Sequence, residues 1–303
     1  MTTKKDLLGL RDLPAATLLG LLTEAKGLKA LTVDKTLRNQ SLRHTSVTTL
    51  FYENSTRTKL SFVLAGQYLG ADVSDLNIAT SSVAKGETLI DTGVTLDVMG
   101  TNVIIIRHSM TGAAHLLAKN VHASVINGGD GVNEHPTQAL LDMFTIQEHL
   151  GEFKGLAVTI VGDINTSRVA RSNVFALTKL GAQVTVAGPA TLVSPGLANM
   201  GVTVSNDVNT AVAQADVVMG LRIQKERQKE SKIASLTEYN TFYGVNPDTL
   251  ARAKDKALVM HPGPVNRGVE LNPVVIDGQQ SVINEQVQNG IAVRMAVLQY
   301  LMS

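Results

Sequence analysis

The chain has 303 residues, of which 44% are apolar and 17% are charged. These proportions are typical of a folded protein of about two domains and exclude a largely disordered chain. Lys and Arg number 27 and Asp and Glu number 26, so the formal net charge is +1, which provides no overall attraction to nucleic acid or to an anionic membrane.

Cysteine is absent from the sequence. Its absence excludes disulfides, cysteine-ligated metal centres and thiol nucleophiles, and it fits a reducing compartment. No segment approaches the roughly 20 consecutive apolar residues that cross a bilayer, and the N-terminus carries no apolar core of signal-peptide length. We therefore expect a cytoplasmic protein with no membrane partner and no nucleic-acid partner.

Apolar strands alternate with helices along the first half of the chain. Leucines and an alanine recur at helical spacing and predict a helix over 14–30. Strands are predicted at 47–52, 103–107 and about 124–127, and a further helix is predicted to end at Gly70. The polar stretch ENSTRTK therefore lies where a strand passes into a helix.

The same alternation returns in the second half. Predicted strands lie at 156–162, 183–187, 216–219 and 257–260, with one helix over 168–180 and a last helix over 291–302. The pattern predicts an α/β protein with two doubly wound domains, each with a parallel sheet flanked by helices. We place the domains at 1–150 and 151–288, and we expect the C-terminal helix, 289–303, to pack back on the first domain.

The segment Ser55-Thr56-Arg57-Thr58 is a candidate phosphate cradle. The backbone N–H groups that begin a helix are unpaired and attract anions, while the hydroxyls and the Arg57 guanidinium add further donors. The alternative is an ordinary helix cap, because Ser and Thr are common at that position. The segment is not a Walker loop, since the required glycines and lysine are missing.

Other candidates in the first half are Arg107, which ends a buried strand, and the pair His135 and Gln138 at the start of a helix. Ligands of open α/β sheets bind at the carboxyl ends of strands, and both His135 and Gln138 can hydrogen-bond a carbonyl compound. Lys85 lies in a Ser- and Gly-containing loop that begins at Ser81. Each of these residues also has a plain interpretation as a surface side chain.

In the second half, Arg168 and Arg222 both follow predicted strands, and Gln224 lies two residues beyond Arg222. Two guanidinium groups at matched positions of one sheet can hold two carboxylates. The loop GDINTSR stands where a dinucleotide fingerprint would be but lacks its glycines, so a nicotinamide-dependent oxidoreductase is poorly supported. The turn His261-Pro262-Gly263-Pro264 is made rigid by its prolines and can present backbone carbonyls to a ligand.

Seven segments, in order, resemble the aspartate/ornithine carbamoyltransferase family over residues 50–300. They are FYENSTRTKLSF, SSVAKGETLIDT, VIIIRHS, NGGDGVNEHPTQALLDMFTI, GDINTSRVARSN, LRIQKER and MHPGPVNRGVE. The ornithine branch typically carries a cysteine in an HCLP motif, whereas this chain has HPGP. The resemblance is therefore to the aspartate branch of the family.

The resemblance implies transfer of the carbamoyl group of carbamoyl phosphate to the amino group of L-aspartate, early in pyrimidine biosynthesis and without a metal or cofactor. It implies that 1–150 binds carbamoyl phosphate and that 151–288 binds aspartate. The residues that would hold carbamoyl phosphate are Ser55, Thr56, Arg57, Thr58, Arg107, His135, Gln138, Pro262, Gly263 and Pro264. Those that would hold aspartate are Lys85, Arg168, Arg222 and Gln224, and the catalytic residues would be Arg57, Thr58, Lys85, Arg107 and His135.

The family resemblance also implies a homotrimer in which Ser81 and Lys85 reach the site of the adjacent subunit. The sequence leaves open whether regulatory chains or other pyrimidine-pathway enzymes bind. Two positions depart from the family pattern: Lys59 stands where an arginine is common, and Asn54 where a small residue or proline is common. Two alternatives stay open, namely transfer to ornithine or another amine, and a catalytically silent scaffold of the same family.

Overall fold

The computed structural model describes residues 5–34, 37, 39–223 and 232–303. The chain folds into two compact units. The first ends at Phe144 and is completed by Val287–Ser303, and the second is Thr145–Gln286. Within the described ranges, no helix is both long and apolar enough to span a membrane.

The first unit contains a parallel sheet with helices around it. Its strands are β1 (Ser46–Phe51), β2 (Asp72–Leu76), β3 (Val103–His108) and β4 (Ser124–Asp130). The helices are α1 (Ala15–Leu28), α2 (Ala30–Val33), α3 (Thr56–Tyr68), α4 (Leu89–Val98), α5 (Ala113–Ala118) and α6 (Pro136–Leu150), the last of which continues into the second unit.

The second unit repeats this arrangement. Its strands are β5 (Ala157–Val161), β6 (Gln183–Ala187), β7 (Thr203–Ser205), β8 (Val217–Gly220) and β9 (Leu258–Met260). The helices are α7 (Arg168–Lys179), α8 (Val208–Val212), α9 (Leu236–Tyr243), α10 (Pro247–Leu250), α11 (Pro273–Ile276) and α12 (Ile283–Met302), which ends in the first unit.

Strand order reverses once in each sheet. The first sheet has the order β2-β1-β3-β4, so the chain moves from β1 to one side and then returns to the other side of β1. The second has the order β7-β6-β5-β8-β9, with the same reversal between β5 and β8. Such reversals open a crevice beyond the carboxyl ends of the two strands, which is where ligands of open α/β sheets bind.

The predicted α/β architecture with two parallel sheets is confirmed. The leucines and the alanine whose spacing predicted the first helix are all buried in α1; they are Leu18, Leu21, Leu22, Ala25 and Leu28. The sequence missed β2 and β7, each of which lies at one edge of its sheet. Their residues are mostly half-buried or exposed, so neither has the continuous apolar run that identifies a buried strand.

The last helix begins earlier than predicted, at Ile283 instead of 291. Its first turns contain Gln286, Asn289 and Gly290, which break the apolar period that the sequence shows. From Val287 onward the helix belongs to the first unit, as expected.

The core of the first unit is centred on β3. Ile104 and Ile106 are fully buried and pack in one cluster with Leu117 of α5 and Val125 of β4. Burial of several large aliphatic side chains on one face of the sheet fixes the position and direction of β3 within the sheet. That strand ends in Arg107 and His108.

We expect Ile104→Ala to lower the free energy of unfolding by about 2–5 kcal/mol, because it removes buried methyl groups and leaves a cavity. Val98→Ala is the matched control, since Val98 is 83% exposed and should change stability by no more than about 0.5 kcal/mol. Urea unfolding followed by circular dichroism measures both. Equal effects of the two substitutions would contradict the placement of Ile104 in the core.

Candidate active site

The segment 55–58 begins α3 directly beyond the carboxyl end of β1. Ser55 is the N-cap residue, but its side chain makes no capping hydrogen bond. Thr56 and Arg57 are exposed, whereas Thr58 is buried in the first turn. The Ser55 hydroxyl therefore does not make the bond that the capping interpretation requires, and the first turn of α3 keeps the unpaired backbone N–H groups that attract anions at a helix start.

Three of the predicted residues converge beside this turn. The Thr58 hydroxyl lies 3.4 Å from Nε2 of His135 and 3.5 Å from Nη1 of Arg107. These residues come from α3, the loop before α6 and the end of β3, which are distant in sequence. A neutral hydroxyl, a guanidinium and an imidazole thus point to one place, which is the donor set that stabilises a developing oxyanion.

Arg107 contacts the backbone of β4 and the segment before α3. Its Nη1 is 3.4 Å from the carbonyl oxygen of Gly128, and its Nε is 3.6 Å from a carboxylate oxygen of Glu53. The cation is 16% exposed, as measured on its side chain. These contacts place a guanidinium, which can form charge-assisted hydrogen bonds to an anionic ligand, at the carboxyl end of β3.

The loop that carries His135 is fixed by buried polar side chains. Asp130 accepts hydrogen bonds from Asn127 Nδ2 at 2.6 Å and from the Gly112 N–H at 2.7 Å. Glu134 accepts one from the Leu10 N–H at 2.7 Å. These groups lose their partners if the loop moves, at a cost of about 1–3 kcal/mol for each unsatisfied group, so the loop is rigid.

Gln138 lies in the first turn of α6, three residues after His135. Its Nε2 donates to Oδ1 of Asp142 at 2.9 Å, and Asp142 is fully buried. Sequence reasoning did not identify Asp142, although its spacing of four from Gln138 places both on one helix face.

Ser81 and Lys85 lie on short 3-10 turns after β2. The Ser81 hydroxyl donates to the Ile78 carbonyl oxygen at 2.9 Å and accepts from the Val83 N–H at 3.3 Å. Lys85 is exposed. In the ranges that the structure describes, no hydrogen bond or ion pair links either residue to Thr58, Arg107 or His135 of the same chain.

Lys59, which replaces an arginine of the family pattern, binds outside this cluster. Its Nζ lies 2.9 Å from a carboxylate oxygen of Asp75 in β2, so it ties the first turn of α3 to the edge strand. Burial raises the pKa of Asp75, but hydrogen bonds from Thr49 and Lys59 outweigh that effect and leave this pKa below its usual value. Asn54 is exposed, and nothing in the structure explains its identity.

The corresponding loop of the second unit, between β5 and α7, depends on Gly162. Its φ of +142° is unfavourable for other residues, and a Cβ there would lie 2.6 Å from the Leu221 carbonyl oxygen. Buried Asp163 then closes the loop by accepting hydrogen bonds from the Thr166 N–H and hydroxyl, at 3.3 and 2.7 Å. The close approach brings the end of β5 against the end of β8.

Arg168 and Arg222 lie on the two sides of this reversal point. Arg168 is the first residue of α7 and is buried, whereas Arg222 follows β8 and is half-buried. The arrangement places two guanidinium groups at the carboxyl ends of neighbouring strands, as the sequence predicted. Gln224 lies outside the described residues.

The turn 261–264 follows β9 and is anchored by a buried His–Glu pair. Nε2 of His261 lies 3.2 Å from Oε1 of Glu270, and neither side chain is exposed. Nδ1 of His261 accepts the Gly263 N–H at 2.8 Å, so the proton of the neutral ring is on Nε2, facing Glu270. The pair holds the turn from inside and leaves Pro262 and Gly263 half-buried at its surface.

The sequence analysis missed the residues that position the site, among them Glu53, Asp130, Glu134, Asp142 and Glu270. Each is an acidic residue next to or within a recognised motif. All of these except the half-buried Glu53 are buried, and that burial was the missing signal, because an acidic side chain in a sequence is assigned to the surface by default. In the described part of the chain, no group of three or more His, Asp or Glu side chains is arranged to hold a metal ion.

This fold and these two sites define the chain's class: it belongs to the aspartate/ornithine carbamoyltransferase family. Residues 5–148 match the carbamoyl-P binding domain of the family, and residues 154–301 match its Asp/Orn binding domain. A similar protein is the aspartate carbamoyltransferase catalytic subunit of Acetivibrio thermocellus, 61% identical over 98% of this chain and 95% of that protein. That of Ruminiclostridium cellulolyticum is 58% identical with the same coverage.

Solved structures give the same result. Aspartate transcarbamoylase from Trypanosoma cruzi in complex with N-(phosphonacetyl)-L-aspartic acid superposes with a TM-score of 0.88, at 29% identity, over 98% of this chain and 95% of that one. Ornithine carbamoyltransferase from Pyrococcus furiosus superposes with a TM-score of 0.85, at 32% identity, over 98% of this chain and 96% of that one. The fold is thus shared by both branches of the family.

His108 gives a prediction about pH. Burial lowers the pKa of His108, although Glu53 and Asp130 oppose the change, and the Met110 N–H donates to its Nδ1 at 2.9 Å. The folded state therefore binds this proton more weakly than the unfolded state, so the stabilising contribution is complete above about pH 6.5 and is lost as the pH falls below it.

We expect His108→Gln to reduce the loss of stability between about pH 7.5 and pH 5.5, because it removes one group that must be neutral in the fold. Urea unfolding at the two pH values measures this, with His115→Gln as the control at an exposed histidine. An unchanged pH dependence in the His108 variant would show that His108 is not the group responsible.

Proposed function

We propose that this chain transfers the carbamoyl group of carbamoyl phosphate to the amino group of L-aspartate, producing N-carbamoyl-L-aspartate and phosphate for pyrimidine biosynthesis. The convergence of Thr58, Arg107 and His135 beside the start of α3 is the observation that carries the proposal. The catalytic subunits of 61% and 58% identity support the choice of aspartate over ornithine.

In this proposal the phosphate of carbamoyl phosphate binds at the start of α3. Ser55, Thr56 and Thr58 would donate from hydroxyl and backbone groups, and Arg57 would add a planar cationic fork. The absence of a capping bond from the Ser55 side chain supports this role. Gln138 and the backbone carbonyls of Pro262 and Gly263, with Pro264 beside them, would hold the amide.

The carbonyl oxygen would face Thr58, Arg107 and His135. When the amino group of aspartate attacks the carbonyl carbon, that oxygen gains negative charge, and donors already in place stabilise it without reorganising. The C–O bond to phosphate then breaks, and the departing phosphate can take the amine proton. Fixing both reactants in attacking geometry contributes about 7–11 kcal/mol more.

Aspartate would be held through its two carboxylates by Arg168 and Arg222, with Gln224 assisting. The positions of the two arginines on either side of the strand reversal between β5 and β8 support this assignment. A guanidinium pairs with a carboxylate through two parallel hydrogen bonds, which fixes orientation as well as charge.

Ser81 and Lys85 are proposed to act on the site of an adjacent subunit in a homotrimer. The exposure of Lys85, and the lack of a bond from it to the Thr58 cluster in the described ranges, support a role outside its own chain. Native mass spectrometry tests the assembly, and a mass of one chain would contradict it.

The decisive experiment is an assay with carbamoyl phosphate and either aspartate or ornithine. We expect carbamoylation of aspartate only. Carbamoylation of ornithine alone would move the chain to the other branch of the family. No product with either amine, from folded trimers, would identify a catalytically silent scaffold.

We expect Arg107→Ala to lower kcat about 10²–10³-fold, because it removes one donor to the developing oxyanion. Arg43→Ala is the matched control, since Arg43 is exposed on the same unit. Steady-state kinetics with both substrates saturating measures the effect, and native mass confirms that the assembly persists. Turnover near that of the control would remove Arg107 from the proposed role.

Arg222→Ala should raise the KM for aspartate about tenfold or more, since it removes a charged partner of a carboxylate. It should leave the affinity for carbamoyl phosphate unchanged. Arg252→Ala, at an exposed arginine of the same unit, serves as the control. An effect confined to carbamoyl phosphate would contradict the assignment of Arg222 to aspartate.

A further inference from the structure

We propose that Asp142 and Arg294 are positioning residues that fix the orientation of the Gln138 side-chain amide. The fixed amide makes the site prefer carbamoyl phosphate, which carries an NH2 group, over acetyl phosphate, which carries a methyl group in its place. The inference rests on the proposed function, because it concerns the same carbamoyl phosphate site. It adds to that proposal two residues and a reason for substrate selectivity.

The orientation of Gln138 follows from the chemistry of its partner. Gln138 and Asp142 lie one turn apart on α6, and Nε2 of Gln138 is 2.9 Å from Oδ1 of Asp142. An ionised carboxylate only accepts hydrogen bonds, so the amide nitrogen must face Asp142. The opposite orientation would set two oxygens against each other in a buried place, since Gln138 is 8% and Asp142 0% exposed.

Arg294 of α12 is the buried cation that Asp142 attracts. Its side chain is buried, with the guanidinium carbon 5.1 Å from the centre of the Phe62 ring and Nη1 donating to the Gly290 carbonyl oxygen at 3.0 Å. Burial lowers the pKa of Arg294 to about 9, and the attraction of Asp142 opposes that change. Both side chains are buried, and removal of one member of a buried pair of opposite charges leaves the other uncompensated, so Asp142 and Arg294 act together.

The fold makes room for this cation. A Cβ at Gly290 would lie 2.5 Å from Nη1 of Arg294 and 3.2 Å from Leu141. Glycine at this helical position costs stability relative to alanine, roughly 1 kcal/mol. Its presence leaves room for the guanidinium of α12 on the side of Leu141 in α6, the helix that carries Gln138 and Asp142.

The fixed amide gives the substrate a hydrogen-bond acceptor, the side-chain carbonyl oxygen of Gln138, at a defined position. With its nitrogen engaged by Asp142, Gln138 offers its carbonyl oxygen to a ligand, and the NH2 group of carbamoyl phosphate can donate to it. Acetyl phosphate has a methyl group there and can make no such bond. If the Gln138 amide were free to rotate, its own NH2 group would face the NH2 group of carbamoyl phosphate for part of the time. The preference for carbamoyl phosphate over acetyl phosphate would then weaken.

The test compares the binding of carbamoyl phosphate and acetyl phosphate by calorimetry, without aspartate. In Asp142→Asn the new side chain offers both a donor and an acceptor, so it no longer dictates how Gln138 turns. We expect the affinity for carbamoyl phosphate to fall about tenfold and that for acetyl phosphate to change less than about twofold. If Asp142 had a purely structural role, the substitution would lower the affinities for both ligands by the same factor.

Two further variants test the proposal if Asp142→Asn folds poorly. Asp142→Ser removes the fixed acceptor with less buried polarity, and Arg294→Lys keeps the charge but loses the planar fork, so both should reduce the preference in the same direction. Asp97→Asn is the matched control: Asp97 accepts from the His122 and Ala123 N–H groups at 2.9 and 2.7 Å, far along the chain from Gln138. It should lower stability and leave the ratio of affinities unchanged.

The outcomes separate this inference from the proposed function. Wild-type protein that binds neither phosphate would overturn the proposed function and this inference with it. Wild-type protein that prefers carbamoyl phosphate, together with folded Asp142 variants that keep the same preference, would overturn the inference alone.

Discussion

Parallel pairing of strands, with one reversal of strand order in each sheet, is the constraint on which both sites depend. In a parallel sheet all carboxyl ends lie at one edge, and at the reversal the two connecting segments leave on opposite sides and cannot fill the gap between them. In the first unit that gap lies between β1 and β3, beside Thr58 and Arg107. In the second it lies between β5 and β8, beside Arg168 and Arg222.

Buried carboxylates hold the loops at these edges in place. Asp130 fixes the loop before α6, Asp163 closes the loop after β5, and Glu270 supports the turn at His261. Each would lose hydrogen bonds in a dry environment if its loop moved, so the loops are rigid for electrostatic reasons rather than through apolar packing. Rigid donors are what a charge-stabilising site requires, because they need no reorganisation during the reaction.

Charge is distributed unevenly in a chain that is nearly neutral overall, at +1. Cations such as Arg57, Arg107, Arg168 and Arg222 lie at the carboxyl edges of the two sheets. Arg107 lies 3.4–3.6 Å from Thr58, Gly128 and Glu53, so its position at the end of β3 is defined by groups from three segments. Such a site attracts anionic substrates without giving the whole surface a positive charge.

The sequence by itself determined the described strands other than β2 and β7, helix α1 with its buried face, and the motifs that identify the family. These signals are local, since the period of apolar residues and the residues that begin a helix are read within one segment. Only the tertiary structure decided the edge strands β2 and β7, the meeting of Thr58 with His135, and the burial of Asp142 and Arg294. These depend on which distant segments pack together, and burial, which turns an ordinary acidic residue into a structural one, exists only once the chain has folded.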